Sequence, residues 1–486
     1  FPIPRRVFSC MLAHRHSLLL LAIALSLVLP ASATAAPMFD PTFGNKGRSI
    51  PTTEWDSAYM QFWDAESTSS GGQILVGEKT EFDRNWAMQV FRRNGQPDTR
   101  FGKNGNVSLP PSVHRFVDEQ AAQDVLVQRN GSILVAGQAN VFNSADRRRC
   151  RCQGTKHGWA VIKFLPSGRI DRRYGKNGIA LLRGINLPIG SKWAIGGGDS
   201  SVFTILSDRR GGAVLYGNST NAVSRKLSFD SLSAVTVRVD KSGRQDRRFG
   251  RGGRIVERGI DYKVNPSAMG VRRDGAILTI RESESRVRGR GWRYALIRRY
   301  NSAGRPLRGR GKNRPYQRVR VPYTGGDDYA LFTSEIDDSG AIIFGPGDSR
   351  NIKSLKFMAL APNGKLDRRF GGDGTLQFSI SRPDLGTVQR TAWVPSGKSG
   401  VQRVMIDFVG KNDVDEHRAV LSFNRHGRLR GFGDGSGLEV MDYGAMEIGI
   451  NEIFMTVGKR TAYMVDSDVH VGLNDLNVVT KLKFDH

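Results

Sequence analysis

The chain has 486 residues, of which 39% are hydrophobic and 24% charged, with 57 Gly, 19 Pro and 3 Cys. Such a chain can bury a large core without a disulfide framework, and its composition excludes collagen, coiled coil and wholesale disorder. Lys and Arg number 73 against 46 Asp and Glu, and the resulting net charge of +27 favours an anionic partner.

The first element in the chain reads as an export leader. His14, Arg15 and His16 precede an apolar run from Leu18 to Leu29, and Ala33-Thr34-Ala35 supplies a small-residue cleavage site. The expected signal peptide is 1–35, cut after Ala35, with residues 1–10 read as sequence upstream of a start at Met11. The apolar run of 12 residues is too short for a membrane span, which takes about 20. No later apolar run of that size follows, so the remaining chain is expected to be secreted, to the medium, the cell surface or the periplasm. Loss of Arg5, Arg6 and Arg15 with the leader changes the charge from +27 to +24.

Beyond the leader one phrase recurs seven times. It reads FDPTFGNKG from Phe39, PDTRFGKNG from Pro97, IDRRYGKNG from Ile170, QDRRFGRGG from Gln245, PLRGRGKNR from Pro306, LDRRFGGDG from Leu366 and LRGFGDGSG from Leu429. Its aromatic position falls at Phe43, Phe101, Tyr174, Phe249, Arg310, Phe370 and Phe432, at intervals of 58 to 75 residues. Each interval carries four short strand patterns. In the second unit these are Asn106–Leu109 directly after the phrase, Ala122–Val127, the apolar Ile133–Gly137 after the Asn130-Gly131 turn, and the alternating Trp159–Phe164. The last such pattern begins at Lys481 and reads as a fourth strand. Four-strand units that cannot close a core alone pack radially. The expected fold is therefore all-β, a single seven-bladed β-propeller of four-stranded antiparallel blades over residues 36–486.

These residues resemble the delta-60 repeats of bacterial β-propellers, whose unit runs LDxsFGxxG, strand, xxDGkilvaG, strand. The second unit supplies Asp98, Phe101, Gly102, Gly105, Asn130, Gly131 and Ile133 to Gly137, and the sixth supplies Leu366, Asp367, Phe370, Gly371 and Gly374. The fifth departs, with Leu307 and Arg310 in place of Asp and the aromatic, and the seventh is one residue short. The resemblance covers essentially the whole mature chain. It implies the propeller fold and export, and it assigns no catalytic residue.

The phrase itself reads as structural. Its Asp can accept hydrogen bonds from backbone N–H groups in a turn, its aromatic can plug the gap between blades, and its glycines can take positive φ. Asn104-Gly105 and Asn177-Gly178 are typical turn pairs. No His-Glu-x-x-His pair, G-x-S-x-G elbow or phosphate loop is present, and no spaced oxygen-ligand loop marks a cation site. The expectation is accordingly no catalytic residue, no cofactor and no metal. Cys150 and Cys152 lie in a loop between two strands, where an oxidising compartment favours a local disulfide.

Strand alternation sorts the connections between two faces of the propeller. One face carries Trp55, Asp56, Trp193, Asp199, Tyr262, Tyr323 and Asp327, aromatic rings beside carboxylates that suit a sugar-like or cationic ligand. The other carries the arginine pairs Arg172-Arg173, Arg247-Arg248 and Arg368-Arg369, a candidate anion-binding rim. Trp86, Trp159 and Tyr294 fall at corresponding strand positions and are assigned to blade packing. The expected function is a monomeric, exported binding or scaffold propeller, with a glycan, an anionic envelope polymer or a protein as ligand. Outside the cytoplasm wall polymers and lipid head groups are nearer encounters than nucleic acid. The alternative is an exported carbohydrate-active enzyme with its site on the aromatic and acidic face.

Overall fold

Runs of apolar residues broken by Gly-rich turns return the chain against itself, and a strand satisfies its backbone groups only beside another strand. In the computed structural model this yields an all-β propeller of four-stranded antiparallel sheets. The residues described are 40, 42–44, 48–49, 60–68, 70–79, 85–107, 109, 121–140, 157–182, 201–220, 232–257, 266–287, 290–307, 316–321, 332–346, 354–380, 385–394, 401–409, 416–430, 437–441, 453–457, 461–471 and 474–483.

A short β1 (Arg48–Ser49) precedes the first blade, which comprises β2 (Met60–Ser67), β3 (Gln73–Lys79), β4 (Asn85–Phe91) and β5 (Asn106–Val107). The second has β6 (Ala122–Val127), β7 (Ile133–Asn140), β8 (His157–Phe164) and β9 (Ile179–Leu182). The third has β10 (Val202–Ser207), β11 (Ala213–Thr220), β12 (Leu232–Val239) and β13 (Arg254–Glu257). The fourth has β14 (Pro266–Val271), β15 (Ile277–Val287), β16 (Arg290–Tyr300) and β17 (Gln317–Arg320). The fifth has β18 (Phe332–Ile336), β19 (Ile342–Pro346), β20 (Ser354–Leu360) and β21 (Thr375–Ser379). The sixth has β22 (Thr387–Val394), β23 (Val401–Val409), β24 (Glu416–Asn424) and β25 (Leu438–Met441). The chain closes with β26 (Ile453–Val457), β27 (Thr461–Val471) and β28 (Asn474–Lys483).

Six blades, rather than the seven expected, are built from four consecutive strands, because the remaining sheet draws on both chain ends. Its order is β26-β27-β28-β1, with Arg48 opposite Thr480 and Ser49 opposite Val479. The strand beginning near Lys481 is thus a third strand, and β1 takes the outer place. The first strand of each sheet borders that of the next, from β2 through β6, β10, β14, β18 and β22 to β26, and β26 borders β2. Val107 pairs with Met88, so the strand after the phrase completes the outer edge of its own blade. The phrase therefore connects third and outer strands inside a blade.

The core lies between neighbouring sheets. Trp86 and Trp159 are buried, and their rings occupy the space that a side chain would need at Gly137 and Gly217 on the second strand of the following blade. Trp86 also donates its indole N–H to the Gln138 carbonyl at 3.0 Å. Both residues pack blade on blade as expected, while Tyr294 is half-buried under the Arg318 guanidinium, 3.6 Å from its ring centroid. Among the described residues no helix is long and apolar enough to cross a membrane.

Candidate functional site

The recurring phrase folds into one turn. The Asp carbonyl accepts the N–H of the aromatic three residues on, at 2.9 Å for Phe101, 2.9 Å for Tyr174, 3.0 Å for Phe249 and 2.9 Å for Phe370. The Asp carboxylate accepts the N–H two residues on, at 3.2 Å from Arg100, 3.2 Å from Arg173, 3.0 Å from Arg248 and 3.2 Å from Arg369. Asn104 and Asn177 sit at φ 51° and 55°, the left-handed region their turns require. The aromatic then reaches the neighbouring blade. Phe43, Phe101, Tyr174, Phe249 and Phe370 are all buried, and each lies where a Cβ would fall at Gly95, Gly168, Gly243, Gly304 or Gly427 of the next sheet's turn. The glycine after the aromatic adds a backbone bond across the same gap, as in Gly175 to Ser242 at 2.7 Å and Gly250 to Ala303 at 2.8 Å.

A position on the third strand decides what the phrase arginines do. Where that position is Lys163, Arg238 or Lys481, its cation pairs with the phrase carboxylate, at 3.3 Å to Asp171, 2.6 Å to Asp246 and 2.8 Å to Asp40. The same cations lie over the phrase rings, Arg238 at 4.8 Å from the Phe249 centroid and Lys163 at 5.7 Å from that of Tyr174. Where the position is Val90 or Ala359, no cation is supplied, and the arginine two residues after the Asp folds back instead. Arg100 then lies 2.6 Å from Asp98, and Arg369 lies 2.8 Å from Asp367. The Arg100 and Arg369 guanidinia are the largest influences holding these two carboxyls below the usual range.

The six candidate arginines consequently divide. All are exposed, but Arg369 is tied to Asp367, whereas Arg172, Arg173, Arg247, Arg248 and Arg368 have no carboxylate partner among the described residues. Arg247 and Arg248 border an open groove of about 980 Å³ that Arg210, Arg238 and Arg244 also line. Its acidic members are Asp240 and Asp246. Asp246 is paired with Arg238, and Asp240 caps its own turn by accepting from Ser242 N–H and Arg244 N–H, each at 2.9 Å. Burial acts on Asp240 most and upward, yet these bonds together with Ser242 Oγ and Arg244 hold its carboxyl below the usual range. Both acids are therefore engaged, and the groove presents Arg210, Arg244, Arg247 and Arg248 to solvent as a net positive surface.

Trp55, Asp56, Trp193, Asp199, Tyr262, Tyr323, Asp327, Cys150 and Cys152 lie outside the described residues. Sequence reading missed Arg210, Arg238 and Arg244; aligning third strands by their last residues would have found Arg238 beside Lys163. It also missed three carboxyls on inner strands. Asp64 accepts Val125 N–H at 2.9 Å, Asp124 accepts Ile205 N–H at 2.6 Å, and Glu66 accepts Val127 N–H. Each carboxyl thereby tethers its strand to the inner strand of the next blade.

No family model matches the sequence, and no curated protein matches it. Among solved structures, the polysaccharide lyase Uly1 is similar over 94% of this chain and 95% of its own, with 9% identity and a TM-score of 0.41. The Dos1 propeller is similar over 87% of this chain and 78% of its own, with 9% identity and a TM-score of 0.39. A GH93 α-L-arabinofuranosidase of Fusarium graminearum, in complex with arabinobiose, is similar over 78% and 97%, with 10% identity and a TM-score of 0.40. Likeness at this level carries no argument about activity.

Proposed function

We infer that this chain is an exported binding propeller, closed as a seven-bladed ring by the sheet that joins its two ends, and that it holds an anionic polymer along the arginine-bearing face. The leader pattern supports export, and the continuous succession of inner strands from β2 to β26 and back to β2 supports the closed ring. One observation carries the ligand class. Lys163 and Arg238 occupy the phrase carboxylates, so the arginine pairs of two adjacent blades remain available to a ligand. A guanidinium is a planar fork suited to carboxylate, phosphate or sulfate, and the Arg247-Arg248 pair on an open groove, with a second free pair on the preceding blade, suits a chain of anions better than a single ion.

The test is retention of the mature chain on dextran sulfate and on neutral dextran. Binding to the sulfated polymer is expected to weaken with added salt and to be lost in the combined Arg172→Ala, Arg173→Ala, Arg247→Ala and Arg248→Ala variant. Arg369→Ala is expected to bind as the unaltered protein does, since its guanidinium is already committed to Asp367. Equal binding to neutral dextran, or an Arg369→Ala defect as large as that of the four-residue variant, would overturn the assignment.

A further inference from the structure

The inner strands carry a device unrelated to the basic face. An inner strand pairs with only one neighbour, so N–H groups on its channel-side edge need acceptors from elsewhere. For β6 and β10, carboxyls on the inner strand of the preceding blade provide them. Asp64 takes Val125 N–H, Glu66 takes Val127 N–H, and Asp124 takes both its own neighbour Val125 N–H at 2.7 Å and Ile205 N–H on β10. Asp64 and Asp124 thus both accept the N–H of Val125 and stand side by side. Two carboxylates this close repel when both are ionised, and a proton held by one of them relieves that repulsion.

Among the described residues no lysine or arginine lies on the inner strands that flank this pair, and β27, which also touches β2, carries Asp466, Asp468 and His470. β2 reads MQFWDAES, β6 AQDVLV and β10 VFTILS, and β26 on the other side of β2 reads IFMTV. Their only titratable residues are Asp64, Glu66 and Asp124. Behind them β4 reads NWAMQVF and β7 ILVAGQAN, without a charge. On β3 the charges are Glu78 and Lys79, opposite Gln61 and Met60 and thus beyond the strand bulge from Asp64.

We propose that Asp64, Glu66 and Asp124 form a proton-dependent latch that joins the inner strands of the first three blades, closed while the carboxyls hold protons and loosened when they ionise side by side. Burial is the largest influence on each group and raises all three; Asp64 raises Asp124 further, and Glu66 is pushed up to about 8. The folded state therefore holds protons that the unfolded chain has released. The stability contributed by Glu66 is complete below its ordinary value of 4.5, falls as pH rises through the window up to about 8, and is constant above it.

Hydrogen exchange of the full chain tests the latch. After correction for intrinsic rates, protection of peptides covering β6 and β10 is expected to fall by about tenfold per pH unit within the window, relative to β18 and β22 across the ring. Equal pH dependence on both sides overturns the proposal. Asp64→Asn with Glu66→Gln removes both charges while keeping amide oxygens that can accept from Val125 and Val127. That double variant is expected to lose most of the fall in protection and melting temperature between about pH 6 and about pH 9. A double variant that retains the full slope overturns the proposal, and should it fail to fold, the exchange pattern of the unaltered chain decides.

Discussion

At the residue scale, a phrase arginine is available or committed according to a side chain that lies elsewhere in the blade. Lys163 and Arg238 satisfy Asp171 and Asp246, whereas Val90 and Ala359 leave Asp98 and Asp367 to recruit Arg100 and Arg369. The partition can be moved. Ala359 is buried, but its place matches that of Lys481, which is as buried and still reaches Asp40 at 2.8 Å. In Ala359→Lys the new ammonium is expected to pair with Asp367 and release Arg369 toward solvent. Affinity for dextran sulfate should then rise by up to about 1 kcal/mol, the scale of one surface charge, with a steeper salt dependence. Ala359→Met, of similar length and without charge, should leave both unchanged. An unchanged salt dependence in Ala359→Lys would show that Arg369 is not held back by its carboxylate.

At the scale of elements, the weak point is the seam where the chain ends meet, since among the described residues β1 contributes two paired residues to β28. Asp40 reinforces it. Its N–H bonds to the Lys481 carbonyl at 3.0 Å, and its carboxylate meets Lys481 Nζ at 2.8 Å and Thr42 Oγ1 at 2.6 Å. Burial pushes this carboxyl upward most, yet the bonds from Lys481 and Thr42 together bring it down to about 2 from 3.8. A depressed folded value gives stability that is present above 3.8 and lost as pH falls toward about 2. Exchange in β28 is therefore expected to accelerate through that acid range, and Asp40→Asn should show the faster exchange already at neutral pH. The seam and the inner-strand latch thus respond to pH with opposite signs. Much of this construction is legible in the sequence, because phrase, turn and strand repeat: the Asp turns, the buried phrase rings and the packing of Trp86 and Trp159 all follow from residue type at a fixed interval. What does not repeat is not legible. Glu257 and Arg281 form an almost fully buried pair at 3.0 Å, with Tyr300 donating to the same carboxylate at 2.8 Å. A charge on an alternating strand reads as exposed until the adjoining sheet is placed over it. Gln317 is a similar case. In the unit where Arg310 replaces the aromatic, it donates to the Gly364 carbonyl at 2.6 Å and spans the gap that rings close elsewhere.

At the scale of the whole molecule, a formal charge of +27 sets two effects against each other. Like charges spread over a compact body repel, and that repulsion is relieved by any added electrolyte. Attraction of a polyanion to the arginine face is weakened by the same electrolyte, because each guanidinium engaged displaces counterions from the polymer. Sodium chloride is therefore expected to raise the melting temperature of the free protein while lowering its affinity for dextran sulfate. The four-arginine variant separates the two. Removing Arg172, Arg173, Arg247 and Arg248 takes four like charges from one face, so the variant should melt higher than the unaltered chain at low salt and respond less to added salt. It should also lose the further rise in melting temperature that a bound polymer contributes by mass action. Melting curves over a salt series, with and without polymer, decide between a groove that recognises anions and a surface that is merely cationic. If polymer stabilises both proteins equally at every salt concentration, the charge acts diffusely and the arginine pairs have no special part in it.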